Sequence, residues 1–491
     1  MISIDILPDD VLLEIFDFCA VKKSFILPKR KEIEAWWQTL VHVCRRWRSV
    51  VFASQRRLNL RLFCSLRTPM DTLDVWPALP LLISDCDCLR KGSCNIFALL
   101  ENSDRVCQIS FMQVTYPQLF ENILKAMQEP FPELTDLVLW SHYHETMLVL
   151  PDSFLGGFAP RLRNLFLNAI LFPGLLKLLL SSTHLVSLSL YSIPHSEYFS
   201  SEEMATVLST LTSLESLCLE LQSLRPLPNR ANQHSPSSTR SALPVFTELR
   251  FSGPIEYLED FMARINAPQL STLDVAYPGQ VGFDAPQLVE FICRTPKLNM
   301  LENAYVIFGE YEARVTLLPQ TSDHRKLTVC IFCGEPDLQV SSLMQVFTSS
   351  LPLLSKLEDL YIHEENDFQL DWQDNIEIVA WLELLHPFTG VKNLYISKKF
   401  APRIAPALQE LVGGRTTEVM PVLQKIFLEG LESSGIIHEG IGQFIAARQV
   451  TSHPVTVTCW EEQNGERQDR EDDEDEGDDE DEDEDEDKEG D

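Results

Sequence analysis

From Val106 to Leu428 the chain repeats one short pattern: apolar, two variable positions, apolar, one variable position, apolar. Its clear copies are Val106-x-x-Ile109-x-Phe111, Leu134-x-x-Leu137-x-Leu139, Leu162-x-x-Leu165-x-Leu167, Leu185-x-x-Leu188-x-Leu190 and Leu214-x-x-Leu217-x-Leu219. Phe246-x-x-Leu249-x-Phe251, Leu270-x-x-Leu273-x-Val275, Leu357-x-x-Leu360-x-Ile362, Val391-x-x-Leu394-x-Ile396 and Leu423-x-x-Ile426-x-Leu428 continue the series. Leu298-x-x-Leu301 and Leu327-x-Val329-x-Ile331 are degraded copies, and starts recur every 23 to 34 residues. Each copy alternates with period two and predicts a strand. The intervals predict helices. Ser200-Ser201-Glu202-Glu203 reads as a capping box ahead of Met204, Val207, Leu208 and Leu211. Asp284-Ala285-Pro286-Gln287 is expected to do the same before Leu288, and Ile376, Val379, Ala380 and Ile404, Ala407, Leu408, Leu411 mark two further amphipathic helices.

One strand–helix unit cannot bury its apolar face, whereas a stack of them can. Such a period is that of leucine-rich repeats. The expectation is a leucine-rich-repeat-like α/β solenoid over 101–458, with parallel strands on a concave side and helices on a convex side. Within each strand the Leu positions point into the core and the intervening ones point outward. Outward-facing candidates for holding a protein substrate are Trp140, Phe166, Tyr191, Glu220, Arg250, Asp274, Tyr361, His363, Tyr395 and Phe427. Aromatic and arginine residues are favoured anchors in protein interfaces.

The first sixty residues follow a helical period instead. Leu7-Pro8-Asp9-Asp10 opens a helix, because proline suits the first turn and acids complement its dipole. Val11, Leu12, Ile15, Phe16 and Cys19 form its apolar stripe. A second helical pattern runs from Ile33 through Trp36, Trp37, Leu40, Val43, Cys44, Trp47 and Val50 to Val51, with Arg45, Arg46 and Arg48 on its other face. A domain this small is marginal alone, so a docked partner or the remaining chain is expected to cover it.

Leu7-Pro8-Asp9-Asp10-Val11-Leu12-Leu13-Glu14-Ile15-Phe16 followed by Val43-Cys44-Arg45-Arg46-Trp47-Arg48 resembles the F-box. The resemblance covers about residues 4–52. It departs from the family in the middle, where Lys22 to Glu34 is longer and strongly basic. Arg57-Leu58-Asn59-Leu60-Arg61-Leu62 and Trp76-Pro77-Ala78-Leu79-Pro80 also look like the segment that follows the F-box in many fungal members, and the repeats resemble the substrate domains of F-box proteins. The resemblance implies a small all-α module docking on a Skp-family adaptor, and through it a cullin. Leu7, Pro8, Leu12, Ile15, Phe16, Val43, Cys44 and Trp47 would form or support the docking face. A cap on the solenoid is the plainer alternative.

The chain has 491 residues, 45% hydrophobic, with a formal net charge of −33. Residues 461–491 hold 22 acidic and 3 basic residues, while 21–67 carry twelve bases against two acids. A tail this charged has nothing to bury and is expected to be disordered. It is a solubilising tail, a contact for a basic partner, or a contact for the basic 21–67 stretch. The overall charge argues against nucleic acid, no apolar run is long enough to span a membrane, and an N-terminus without an export signal suggests the cytoplasm or nucleus with reduced cysteines. Cys86-x-Cys88 with Cys94, and Cys330-x-x-Cys333, lack the paired spacing of a zinc site, and His142-x-His144 has no partner carboxylates. No phosphate loop, nucleophile elbow or metalloprotease motif occurs. The segment Pro226–Pro244 reads as an exposed loop, with Ser235, Ser237 and Ser238 as candidate phosphorylation sites.

The expected division is 1–56 helical module, 57–100 connecting segment, 101–458 solenoid and 459–491 tail. The expected function is a non-catalytic substrate receptor of a cullin-RING ubiquitin ligase, without cofactor or metal, binding a protein substrate. The alternatives are a repeat scaffold with no ligase link and a binder of basic proteins acting through the tail.

Overall fold

The computed structural model describes residues 7–19, 36–64, 73, 75–76, 78–85, 96–112, 117–141, 148–194, 199–222, 240–278, 285–321, 324–349, 351, 353–365, 377–430 and 438–460. Residues 20–35, which hold the basic run Lys22 to Glu34, Cys86, Cys88 and Cys94, His142 and His144, the candidate phosphorylation sites and the acidic tail lie outside them.

The repeated pattern forms one sixteen-stranded sheet. Its strands in chain order are β1 (Leu62–Cys64), β2 (Leu81–Asp85), β3 (Val106–Phe111), β4 (Asp136–Trp140), β5 (Asn164–Asn168), β6 (Ser187–Ile193), β7 (Ser216–Leu221) and β8 (Glu248–Ser252). There follow β9 (Thr272–Pro278), β10 (Asn303–Phe308), β11 (Glu312–Leu318), β12 (Lys326–Phe332), β13 (Asp359–Glu364), β14 (Asn393–Ile396), β15 (Lys425–Glu429) and β16 (Thr456–Trp460). The repeat leucines set the register. Leu137, Leu165, Leu188, Leu217, Leu249 and Leu273 pair rung to rung and are buried. Ala304, Leu360, Leu394 and Ile426 do the same farther on. Burying each such leucine is worth roughly 2 kcal/mol, so a register slip, which would turn every one of them outward, is strongly disfavoured.

Helices cover the leucine side. Among them are Leu175–Ser181, Ser201–Leu208, Ile255–Arg264, Pro286–Arg294, Pro336–Ser349, Ile378–Leu385, Ala401–Glu410 and Glu439–Val450. The capping box forms: Ser200 Oγ accepts from Glu203 N at 3.2 Å, and the Glu203 carboxylate accepts from Ser200 N at 3.0 Å. The helix at Pro286 starts differently from expectation. Its N-cap Ala285 has no capping side chain, and Glu259 of the preceding helix accepts from Gln287 N and Leu288 N, both at 2.8 Å. A neighbour's carboxylate thus satisfies the helix's orphan donors. Arginines join repeats similarly: fully buried Arg448 donates to Thr416 O at 3.0 Å and Leu423 O at 3.1 Å, and burial pulls its pKa down.

The expected all-parallel order fails at one place. Across the sheet the order is β1 to β9, then β12, β11, β10, then β13 to β16. β11 is antiparallel to both neighbours, whereas β12 is parallel to β9 and β10 to β13. Leu298 lies in a 3-10 turn, Pro296–Met300, rather than a strand. After β9 the chain skips ahead, returns through two hairpin connections, and reaches β13 by the 14-residue helix Pro336–Ser349, crossing three strand spacings, roughly 14 Å. Buried Gln339 on that helix donates to Gly309 O at 3.0 Å and Cys333 O at 2.6 Å, tying the meander's turn to its last strand. Because hairpin pairing keeps opposite residues on the same face, the reversal does not disturb which side chains face outward.

The boundaries also shift. The sheet already begins at Leu62, inside the stretch read as a connecting segment, and reaches Trp460 rather than ending at 458. Arg240 to Pro244 belong to the ordered body, since Ser241–Ala242 pair with Ile265–Asn266 and Leu243 is buried. At the N-terminus stand α1 (Asp9–Cys19), α2 (Trp36–Val43) and α3 (Arg45–Ala53). The pattern read as one helix breaks at Cys44, which is extended (φ −158°) and accepts from Trp47 N at 3.4 Å. Trp37 donates to Arg61 O at 3.0 Å and meets Trp76 edge-on at 5.2 Å, sealing the start of the sheet. Its apolar core is continuous with that of the repeats.

Candidate functional site: the open face of the sheet

The side of the sheet opposite the helices carries the outward residues. Pairing aligns Val138, Phe166, Ser189, Cys218, Arg250, Asp274, Thr328, Thr316, Tyr305, Tyr361, Tyr395 and Phe427 in one continuous row through the meander. Three zones follow along it.

In the first, Trp140, Phe166 and Tyr191 gather. Trp140 stacks on Phe166 with centroids 5.8 Å apart, and Phe166 lies 5.2 Å from Tyr191. Trp140 and Tyr191 belong to the next row, on either side of Asn168, so the three rings are staggered. Below them Asn164 donates to Asp136 at 2.5 Å. Burial, then Cys218, pushes the Tyr191 phenol well above its ordinary range. Burial likewise raises the Cys218 thiol to about 11, against a hydrogen bond with Tyr191 that lowers it.

The second zone is charged. Arg250 Nε lies 2.7 Å from a Glu248 oxygen and 3.8 Å from Asp274. Arg314 pairs with Glu312 and Glu365, each at 3.4 Å, and the Cys330 thiol lies 3.3 Å from Glu312. Burial and then the Glu312 charge raise the Cys330 pKa. Glu220 is half-buried and accepts from Ser192 at 3.4 Å.

The third zone is an aromatic ladder. Tyr305, Tyr361, Tyr395 and Phe427 stack face to face with centroids 4.4, 4.1 and 4.3 Å apart and planes within 9° of parallel. Their spacing follows that of the strands, roughly 4.8 Å, so identical positions on successive repeats stack without strain. His363 meets Tyr305 edge-on at 6.4 Å, and Trp460 lies across Tyr361 and Tyr395 at 6.1 and 5.7 Å. Burial, then the neighbouring tyrosines, raise the Tyr361 pKa. Asn393 donates to Asp359 at 2.6 Å, repeating the Asn164–Asp136 pair.

The expected face residues therefore fall into three groups rather than one site. Sequence reading missed Tyr305, Arg314 and Trp460. The first two sit on the meander, where no Leu-x-x-Leu-x-Leu frame marks them. The alternation in Asn303-Ala304-Tyr305-Val306 was the available signal. Trp460 fell beyond the assumed end of the repeats.

Among the described residues no group of three or more His, Cys, Asp or Glu could hold a metal ion. Thiols and phenols held protonated are poor nucleophiles. Half-buried aromatics flanking paired charges suit the desolvated anchors of a protein contact.

The N-terminal module divides the residues expected to form or support a docking face into buried and exposed sets. Leu12 and Phe16 do not lie on a surface: both are fully buried, Phe16 against Trp47 at 4.9 Å. The exposed stripe of α1 is Val11, Ile15 and Phe18, the last 95% exposed, with exposed Val43 on α2. Leu7, Cys44 and Trp47 are half-buried and Pro8 is exposed. Arg46 pairs with Asp9 at 2.7 Å, and Arg57 with Glu14 at 2.5 Å and Asp17 at 3.0 Å, so part of the basic surplus is spent within the module. No helix among the described residues is long and apolar enough to cross a membrane.

No family model and no curated protein matches the sequence. Among solved structures, the chain is similar to the leucine-rich repeat-containing protein LegL7 from Legionella pneumophila, at 14% identity and a TM-score of 0.29. That match covers 70% of this chain and 98% of that one. At this level it adds nothing to the repeat architecture read from the sheet itself.

Proposed function

We propose that the chain is a protein-interaction scaffold of the leucine-rich-repeat type whose open face holds a protein partner. The observation that carries this is the uninterrupted outward row, with half-buried aromatics at both ends and paired charges between them. Affinity purification from native cells tests it. Tyr361→Ala with Tyr395→Ala is expected to lose partners that the unaltered chain captures, while circular dichroism stays unchanged. An unchanged set of partners refutes the reading.

A finer reading is favoured by the F-box resemblance together with the exposed stripe of α1. In it, Val11, Ile15 and Phe18 dock on a Skp-family adaptor that links the chain to a cullin. Leu12, Phe16 and Trp47 hold the helix that presents them. The scaffold is then a non-catalytic substrate receptor in the cytoplasm or nucleus. It acts by tethering, which raises the effective concentration of a substrate lysine near the ligase's loaded conjugating enzyme. Pull-down with purified adaptor discriminates the two. Ile15→Asp with Phe18→Asp should abolish adaptor capture without unfolding the module, whereas Leu12→Asp should unfold it. An adaptor that ignores the unaltered chain leaves the scaffold reading standing and removes the ligase link.

A further inference from the structure

The aromatic ladder holds two phenols in a geometry suited to radical coupling. β13 and β14 pair in parallel with Tyr361 opposite Tyr395. Buried Leu360, Ile362, Leu394 and Ile396 on either side of them fix that register from the core. The two rings lie 4.1 Å apart between centroids, with planes 9° from parallel. Tyr305 backs Tyr361 at 4.4 Å and Phe427 backs Tyr395 at 4.3 Å, so neither ring swings away without opening the stack. Among the described residues, tyrosine rings meet one another only in this ladder.

Paired positions on parallel strands carry their side chains out in the same direction. Like atoms therefore face each other, hydroxyl beside hydroxyl and ortho carbon beside ortho carbon. Burial raises the pKa of both phenols, and the interaction of their hydroxyls adds to the rise at Tyr361 and opposes it at Tyr395.

A phenol that loses one electron releases its O–H proton to water and becomes a phenoxyl radical, with spin on the carbons ortho to oxygen. Two such radicals form a bond between ortho carbons. The hydrogens on those carbons then shift to the oxygens and restore two phenols. The balance is two electrons and two protons lost for one carbon–carbon bond made, and a one-electron oxidant derived from a peroxide or persulfate takes the electrons. Radicals free in solution must first meet, whereas groups already held in contact react faster by orders of magnitude.

We propose that Tyr361 and Tyr395 are a site of oxidative modification, at which one-electron oxidation joins their ortho carbons as dityrosine and staples two successive repeats across the open face. The new bond lies in the plane of each ring, so joining the rings tilts them out of the flat stack. Oxidation thereby reshapes this half of the face as well as fixing it.

Dilute full-length chain is illuminated with ruthenium tris-bipyridine and persulfate, which draws electrons from tyrosine without entering the protein. Each persulfate takes two electrons and leaves two sulfates. The expected product is a monomer lighter by two hydrogens, with dityrosine fluorescence and a linked peptide pair joining Tyr361 to Tyr395 by mass spectrometry. Tyr361→Phe keeps a ring in the stack but removes the phenol, and should lower the monomer's dityrosine fluorescence by about tenfold or more. Tyr305→Phe should leave the link in place, and unfolding in urea should remove it. A link that survives Tyr361→Phe, maps to other tyrosines, forms equally in urea or joins only separate chains would overturn the proposal, as would the absence of dityrosine.

Discussion

The two halves of the open face use the same repeat to different ends. Before the meander, Trp140, Phe166 and Tyr191 sit in alternate rows and lean diagonally on one another, with Cys218 and Arg250 next along the row. After it, Tyr305, Tyr361, Tyr395 and Phe427 occupy one row and stack flat. Diagonal neighbours on a sheet are farther apart than direct ones, so the first cluster's rings sit 5.2 and 5.8 Å apart against 4.1 to 4.4 Å in the ladder. The ladder spends its ring faces internally and offers ring edges and hydroxyls.

The largest effect tests whether the halves are mechanically one body. Leu165→Ala and Leu394→Ala should each lower stability by about 3 kcal/mol, with a single denaturant transition in both cases, because the core is continuous. Two separated transitions would show the meander dividing the solenoid into independent blocks. Next, Trp140→Ala with Phe166→Ala and Tyr361→Ala with Tyr395→Ala should each weaken partner binding by about 2 kcal/mol, read by titration calorimetry. If only one pair matters, the partner covers only that half. Third, Asn164→Ala and Asn393→Ala should each cost about 1 kcal/mol, in equal measure if the Asp136 and Asp359 pairs are the same device used twice.

The smallest effect concerns thiols. Alkylation of Cys218, followed by peptide mass spectrometry, should be slow near neutral pH and accelerate only toward its raised pKa of about 11. Exposed Cys459 should react at an ordinary rate. The folded pKa of Cys218 lies above the usual thiol value of about 8.5. Its contribution to stability is therefore whole below that value and is lost as pH rises toward 11. Equal labelling of the two thiols would show the Tyr191–Cys218 neighbourhood to be open.

Much of this was legible without coordinates because period-two burial leaves its mark on every repeat. Leu137 and Leu139 announce a buried face, so Val138 and Trp140 must lie on the other. The capping box at Ser200 was legible for the same local reason: its partners lie three residues apart. Helix α1 was legible as a helix, but not in its orientation. Its apolar residues span more than half its circumference, and only packing against Trp47 decides that Leu12 and Phe16 turn in while Ile15 and Phe18 turn out.

Local sequence alone determined the strands of the regular repeats and their faces, since alternation is a property of a few consecutive residues. Tertiary structure decided which strand lies beside which. The reversed run β12, β11, β10 and the cap that Glu259 supplies to its neighbour's helix depend on groups far apart in the chain. Pairing energy at these places depends on what arrives alongside, and no window of sequence contains that neighbour.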